Sequence, residues 1–269
     1  MLHRYCYSKG IACGFIHPED DLARIKVLHV PHWVMWKQAW NANVEAFVRN
    51  GGTLVVGAMT GTRDENNHIP TDLAPGPGLS KLCGVRVEEF GRVTEPGADG
   101  LFGLHGTEFG LHNPAKRLPS SSASRRYRFT LGNQEHEAAH LYEILVFDDD
   151  VEVLGHWSNR FASGRAAVTS RKVGKGRACY VGTSLTGSLV EGLVDHVLDA
   201  VVQPLVPDLP SAVEVVLRGA EDRKLLFLLN CDAGPVELSS VPAGTDLLSG
   251  DPVNGRLVLG PYGCAVLRV

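Results

Sequence analysis

No run of apolar residues in this sequence approaches the ~20 that a membrane helix needs, the longest being strand-length stretches such as Leu225 to Leu229. A helical membrane span is therefore excluded. An excess of positive charge is also missing: Lys+Arg number 26 against 30 Asp+Glu, a formal charge of -4, so there is no field to gather phosphate backbones or anionic lipid. Nucleic acid and membrane surfaces drop out as partners. The six cysteines, Cys6, Cys13, Cys83, Cys179, Cys231 and Cys264, include no C-x-x-C pair, which suits reduced thiols better than a disulfide frame or a zinc knuckle. The N-terminus lacks the apolar core of a signal peptide, because Lys9, His17 and the acidic run Glu19 to Asp21 interrupt it. The expected location is the cytoplasm.

What is present is the composition of an ordinary globular protein, 44% hydrophobic and 21% charged, in 269 residues, enough for two modest cores or one large one. Residues 2 to 9 suit a helix, and Ile11 to Ile16 reads as a short buried strand ending at His17-Pro18. Val27 to Val30 is a second strand, stopped by Pro31. Trp36, Trp40, Val44, Phe47 and Val48 lie at helical spacing up to Asn50-Gly51-Gly52, and Thr53 to Ala58 is a fully apolar strand. Strands alternating with helices imply parallel pairing, so this half is α/β. Gly91 to Ser124 has no period and reads as a long excursion. Ala166 to Val173 and Arg177 to Gly182, joined by Gly174-Lys175-Gly176, form a β-hairpin, followed by an amphipathic helix over Leu189 to Val202. Beyond Pro204, Pro207 and Pro210 only short strands remain, which predicts a small antiparallel β domain of the sandwich type.

Several segments carry chemistry in principle. His136-Glu137-Ala138-Ala139-His140 matches H-E-x-x-H, in which one helical turn sets two imidazoles on one face for zinc and a glutamate as base. Leu141-Tyr142-Glu143 follows where a metzincin would continue, so the expectation is an exposed helix holding no metal, with a zinc-dependent peptidase as the rival reading. Gly174-Lys175-Gly176 lacks the spacing of a P-loop and is a hairpin turn. His29 and His32, flanking Pro31, are expected to form a hydrogen-bonded structural pair, and Ser124 to Arg128 a solvated basic patch. The best polar cluster is the loop holding Arg63, Asp64, Glu65 and Asn66, because ligands bind α/β sheets beyond the carboxyl ends of strands. It is a candidate ligand or interface loop. Trp33 and Met35, beside a helix whose Trp36 and Trp40 face the sheet, are candidates for an oligomer interface.

The run Gly51-Gly52-Thr53-Leu54-Val55-Val56, Thr60-Gly61-Thr62-Arg63-Asp64-Glu65-Asn66, Pro75-Gly76-Pro77 and Leu82-Cys83-Gly84-Val85 resembles the trimerisation domain of glycoside hydrolase family 42 β-galactosidases. Gly164-Arg165-Ala166-Ala167-Val168-Thr169 and Tyr180-Val181-Gly182-Thr183 resemble the end of that domain. Leu226-Phe227-Leu228-Leu229-Asn230, Asp246-Leu247-Leu248-Ser249-Gly250 and Pro261-Tyr262-Gly263 resemble the family's C-terminal β domain. The resemblance implies a flavodoxin-like, class I glutamine amidotransferase-like domain over residues 1–204 and a β domain over 205–269. It also implies that the two catalytic glutamates belong to an N-terminal barrel without counterpart here, so no residue of this chain inherits a catalytic role. The amidotransferase nucleophile, a cysteine, would fall in Ala58-Met59-Thr60-Gly61, where none stands, and a thioether cannot replace it. Family members enter the domain by an apolar strand that is missing before Leu2. The expectation is thus a non-catalytic oligomerisation module without cofactor or metal, a homo-oligomer (a trimer by resemblance) or the partner of a barrel-bearing chain, with a small-molecule binding module as a further alternative.

Overall fold

Thr53–Gly57 (β2) has all five residues buried, as a strand covered on both faces must. Its neighbours, β1 (Val27–Val30) and β9 (Gly176–Val181), both run parallel to it. In this computed structural model, residues 2–70, 74–93, 127–198, 201–220 and 223–269 are described. They divide into two units, His17–Val197 and a second made of Met1–Ile16 with Leu198–Val269.

In His17–Val197 a seven-stranded mixed sheet has the order β1-β2-β9-β8-β7-β4-β5, where β4 is Arg128–Leu131, β5 Gln134–Glu137, β7 Val151–Trp157 and β8 Ala166–Val173. Only its first three strands are parallel; from β9 onward every pairing is antiparallel. The parallel pairing expected from the strand–helix alternation holds over β1, β2 and β9, and the expected hairpin is present: β8 and β9, joined by the tight Gly174 turn, pair antiparallel with no room for a crossover helix. A second, antiparallel sheet runs β10-β6-β3, with β3 at Val85–Val93, β6 at Ala139–Phe147 and β10 at Thr183–Ser184.

Helix α2 (Asn41–Arg49) buries Val44, Phe47 and Val48, each contributing ~1.5–3 kcal/mol by leaving water. The helix expected from Trp36 begins later, since Gln38–Trp40 is a 3-10 turn and Trp36 precedes it. Helix α3 (Pro77–Cys83) starts at a proline and ends at left-handed Gly84. Helix α4 (Gly187–Leu193) opens two residues before the predicted Leu189, because Thr186 Oγ1 caps the Leu189 amide at 3.2 Å. A π-helical turn, Val194–Leu198, follows it.

The second unit is one five-stranded antiparallel sheet, ordered β11-β12-β15-β13-β14, rather than the expected sandwich. Its strands are β11 (Val213–Ala220), β12 (Arg223–Asn230), β13 (Val236–Asp246), β14 (Pro252–Leu259) and β15 (Cys264–Arg268). Register shifts along the eleven-residue β13 bend it, so a single sheet gathers Val213, Leu226, Leu228, Leu238, Val241, Leu259 and Leu267 into one core. Helix α1 (Leu2–Ser8) belongs to this unit, its turn held by the Leu205 amide on the Gly10 carbonyl at 2.8 Å. Ile11–Ile16 is not a strand: no partner strand pairs with it, and Phe15 is 93% exposed. The excursion expected over Gly91 to Ser124 lies outside the described residues apart from its start, which ends β3. No helix among the described residues is long and apolar enough to cross a membrane.

Candidate functional site

The carboxyl ends of β1 and β2 deliver two loops that are hydrogen-bonded to each other. Beyond β1, the Trp33 amide donates to Thr60 Oγ1 at 3.3 Å and the Trp33 carbonyl accepts from the Gly61 amide at 3.0 Å. Gly61 has φ +68, and a Cβ there would collide with the Pro75 carbonyl, so only glycine lets the loops close. His32 (φ 41), Met59 (φ 65) and Asn67 (φ 65) also hold left-handed conformations. Such strain collects where surrounding structure fixes the backbone for a purpose.

Arg63 joins the same assembly. Its amide donates to the Val34 carbonyl at 3.0 Å, and its carbonyl accepts from the Trp36 amide at 2.9 Å, an isolated parallel bridge between Met35 and Arg63. Two features that the sequence suggests separately, the Arg63–Asn66 loop and the Trp33/Met35 corner, are thereby brought together. Asp64 builds the loop: its carboxylate accepts the amides of Asn66 (2.9 Å) and His68 (2.8 Å), and the His68 bond above all holds its pKa down. Glu65 and Asn66 are exposed.

Trp33 is half-buried, packed edge to face against Trp36 (6.1 Å between centroids) and Trp40 (5.1 Å), with His17 closing the cluster. The exposed part of the corner is Val34 and Met35, Met35 at 50%. An open cavity of about 600 Å³ lies here, lined by Pro31, His32, Trp33, Val34, Met35 and Asn67.

Behind the loops stands a residue that the motif search passed over. Glu143 on β6 is 0% exposed. Its Oε1 accepts the Met59 amide at 2.8 Å and its Oε2 accepts the Tyr180 hydroxyl at 2.9 Å. Its own amide donates to the Gly182 carbonyl, and its carbonyl accepts from Trp157 Nε1. Burial pushes its pKa up to about 7, against the pull of the Met59 and Tyr180 bonds. The signal was a single carboxylate inside the apolar run Leu141 to Phe147. Enclosed and fully bonded, it ties the two sheets together beneath the Met59 turn and lines no part of the open cavity.

The remaining candidates separate. His136-Glu137-Ala138-Ala139-His140 is not helical: His136 and Glu137 end β5, His140 lies in β6 with φ 63, and the i,i+4 face required for zinc does not exist. His136 is buried rather than exposed, while Glu137 and His140 face solvent. The expected His29–His32 bond is absent too: His32 Nδ1 meets the Ala58 carbonyl at 2.7 Å, and His29 Nε2 has no partner. Burial and His32 lower the His29 pKa to about 4. Of the basic patch, Ser124 to Arg126 lie outside the described residues, and Arg128 pairs with Glu135 at 3.5 Å.

Comparison with known proteins gives the arrangement its context. The model of the β-galactosidase trimerisation domain matches residues 2–203, and that of the β-galactosidase C-terminal domain residues 212–269. The chain is 28% identical over 238 residues to the β-galactosidase BgaB of Geobacillus sp., covering 88% of this chain and 31% of that one. It is 28% identical over 272 residues to BgaA of Planococcus sp., covering 99% and 36%. Among solved structures, the β-galactosidase of Bacillus circulans sp. alkalophilus shares its fold with a TM-score of 0.79 at 24% identity, over 99% of this chain and 36% of that one. The enzyme of Rahnella sp. R3 gives 0.74 at 19% identity, over 100% and 36%. The chain spans about a third of the length of these relatives. It belongs to the glycoside hydrolase family 42 β-galactosidases, of which it comprises the trimerisation and C-terminal domains.

Proposed function

We propose that this chain is a non-catalytic association module, which assembles as a homo-oligomer, a trimer in the first instance, or joins a barrel-bearing chain of a β-galactosidase in the cytoplasm. The observation that carries this reading is the corner Trp33-Val34-Met35. It offers exposed apolar side chains on a backbone fixed by the Arg63 and Thr60 bonds, and a rigid aromatic anchor beside accessible apolar surface is the usual centre of an interface. Arg63, Asp64, Glu65 and Asn66 form its polar rim.

Residues 1–204 are read as a flavodoxin-like, amidotransferase-like domain. Support comes from the turn after β2, where Met59 takes the left-handed conformation on the site that a nucleophile would occupy. Met59 offers a thioether, and Glu143 bonds its amide instead of activating it, so the chemistry is replaced by packing. A retaining glycosidase needs two carboxyls ~5 Å apart around its substrate. Among the described residues the buried carboxyls are Glu143 and Asp246, and each is taken up by hydrogen bonds from neighbouring groups. Analytical ultracentrifugation of the purified chain tests the reading: a concentration-dependent trimer supports it, and a monomer that also fails to bind the barrel portion of a relative removes it.

A further inference from the structure

His136 is 3% exposed, and neither of its ring nitrogens has a hydrogen-bond partner. The ring stacks on Phe129 of β4, centroids 5.5 Å apart and planes at 26°. Above it lies α4, and the contact depends on Gly192, where a Cβ would stand 3.0 Å from Cε1 and Nε2 of the imidazole. The π-helical turn that follows sets His196 over Gly132, in the turn between β4 and β5, where a Cβ would come within 2.7 Å of the His196 ring. The two glycines thus let one buried imidazole and one exposed imidazole lie between the helix and the hairpin. π-helical turns are rare and are frequently found at functional sites.

Among the described residues, the charged groups on the packed elements give His136 no counter-ion. Arg128 on β4 turns to Glu135 (3.5 Å) and Glu137 (4.0 Å), which flank His136 on its own strand and face solvent. Glu191 on α4 and Asp195 on the π-helical turn are exposed. The ionisable group that acts on His136 is His196, and two imidazolium rings repel.

We propose that His136 is a proton-operated latch: its neutral ring fits beneath Gly192, and its imidazolium, with no acceptor in reach and His196 alongside, drives residues 187–197 off the β4–β5 hairpin. Burial, then His196, hold the His136 pKa below the ordinary histidine value. The sign follows: the closed state binds fewer protons than the open one, so closure is fully favoured above pH ~6.5 and lost as pH falls towards the folded pKa.

Amide hydrogen exchange of residues 187–197 in the full chain, corrected for intrinsic rates, tests the latch. Between pH 7.5 and 5.0 the opening equilibrium should rise by up to about 30-fold, the limit set by an open-state pKa near 6.5. His136→Phe should abolish the rise, and His196→Gln should keep most of it. Equal opening at both pH values in the wild type, or an undiminished rise in His136→Phe, overturns the proposal. Should His136→Phe not fold, NMR titration of the wild-type His136 ring decides: a midpoint below 6.5 is expected, and one at or above 6.5 overturns it.

Discussion

The Tyr180 hydroxyl donates to Glu143 Oε2 at 2.9 Å, and through this bond a strand of the mixed sheet holds a carboxyl of the neighbouring antiparallel sheet in a site with no solvent. The same carboxyl receives the Met59 amide, so the left-handed turn after β2 rests on it as well. The pair stands at the join of the two sheets and beneath the loops of the Trp33–Met35 corner, the proposed association surface.

Glu143→Gln should change how stability depends on pH. Because the folded pKa is raised to about 7 from an unfolded value of 4.5, the folded state binds more protons than the unfolded one between those limits. The contribution of Glu143 is complete below pH 4.5 and is lost as pH rises to about 7. Relative to the wild type, Glu143→Gln should therefore gain about 2 kcal/mol on going from pH 5 to pH 7.5, read from urea unfolding curves. Parallel profiles for the two proteins would contradict this.

Tyr180→Phe removes the donor and leaves Glu143 Oε2 buried without a partner. A cost of about 1–3 kcal/mol is expected, larger at pH 8 than at pH 5, since the unpaired carboxylate suffers more than the neutral acid. Thermal unfolding at both pH values measures it. A penalty that is the same at both would remove the hydrogen bond from the explanation.

No turnover of aryl β-galactosides is expected from the purified chain. Activity that survives repurification and vanishes on a point change within this chain would show that a catalytic pair had been missed.

Much of this architecture is legible in the sequence, and the failures have physical causes. The apolar run at Thr53, the short Val27 strand and the Gly174 hairpin show because one covered strand, one proline and one tight turn each leave a local mark. β4 to β7 do not show: β6 is buried over Leu141 to Leu145 without alternation, and Glu143 looks like an interruption until the Met59 amide and Tyr180 hydroxyl are placed around it. The H-E-x-x-H run fails because its i,i+4 spacing presupposes a helix, and a left-handed His140 in a sheet removes it. Ile11 to Ile16 has the composition of a strand, but a strand needs a partner edge, which composition does not report. In Asp246-Leu247-Leu248-Ser249-Gly250 the motif proves to be a turn: the carboxylate takes the Leu248 amide, the Val266 amide and the Ser249 hydroxyl, each at 3.1 Å.

Trp33→Ala is expected to weaken association by at least ~1 kcal/mol, and also to loosen the monomer, because Trp33 supports Trp36 and Trp40. Separating the two effects requires a fluorescence melt alongside the association measurement. An unchanged association constant in a protein that melts like the wild type would exclude Trp33 from the interface.

Met35→Asp separates association from folding more cleanly, since Met35 is half exposed and takes no part in the ring stacking of Trp33, Trp36 and Trp40. Sedimentation equilibrium of wild type and Met35→Asp across low to high micromolar concentration is the deciding measurement. A wild-type mass of three chains, with dissociation at least ~10-fold easier in Met35→Asp and an unchanged circular dichroism spectrum, is the predicted result. A wild-type protein that stays monomeric throughout, or an oligomer indifferent to the charge, would contradict the assignment of this corner as the association surface.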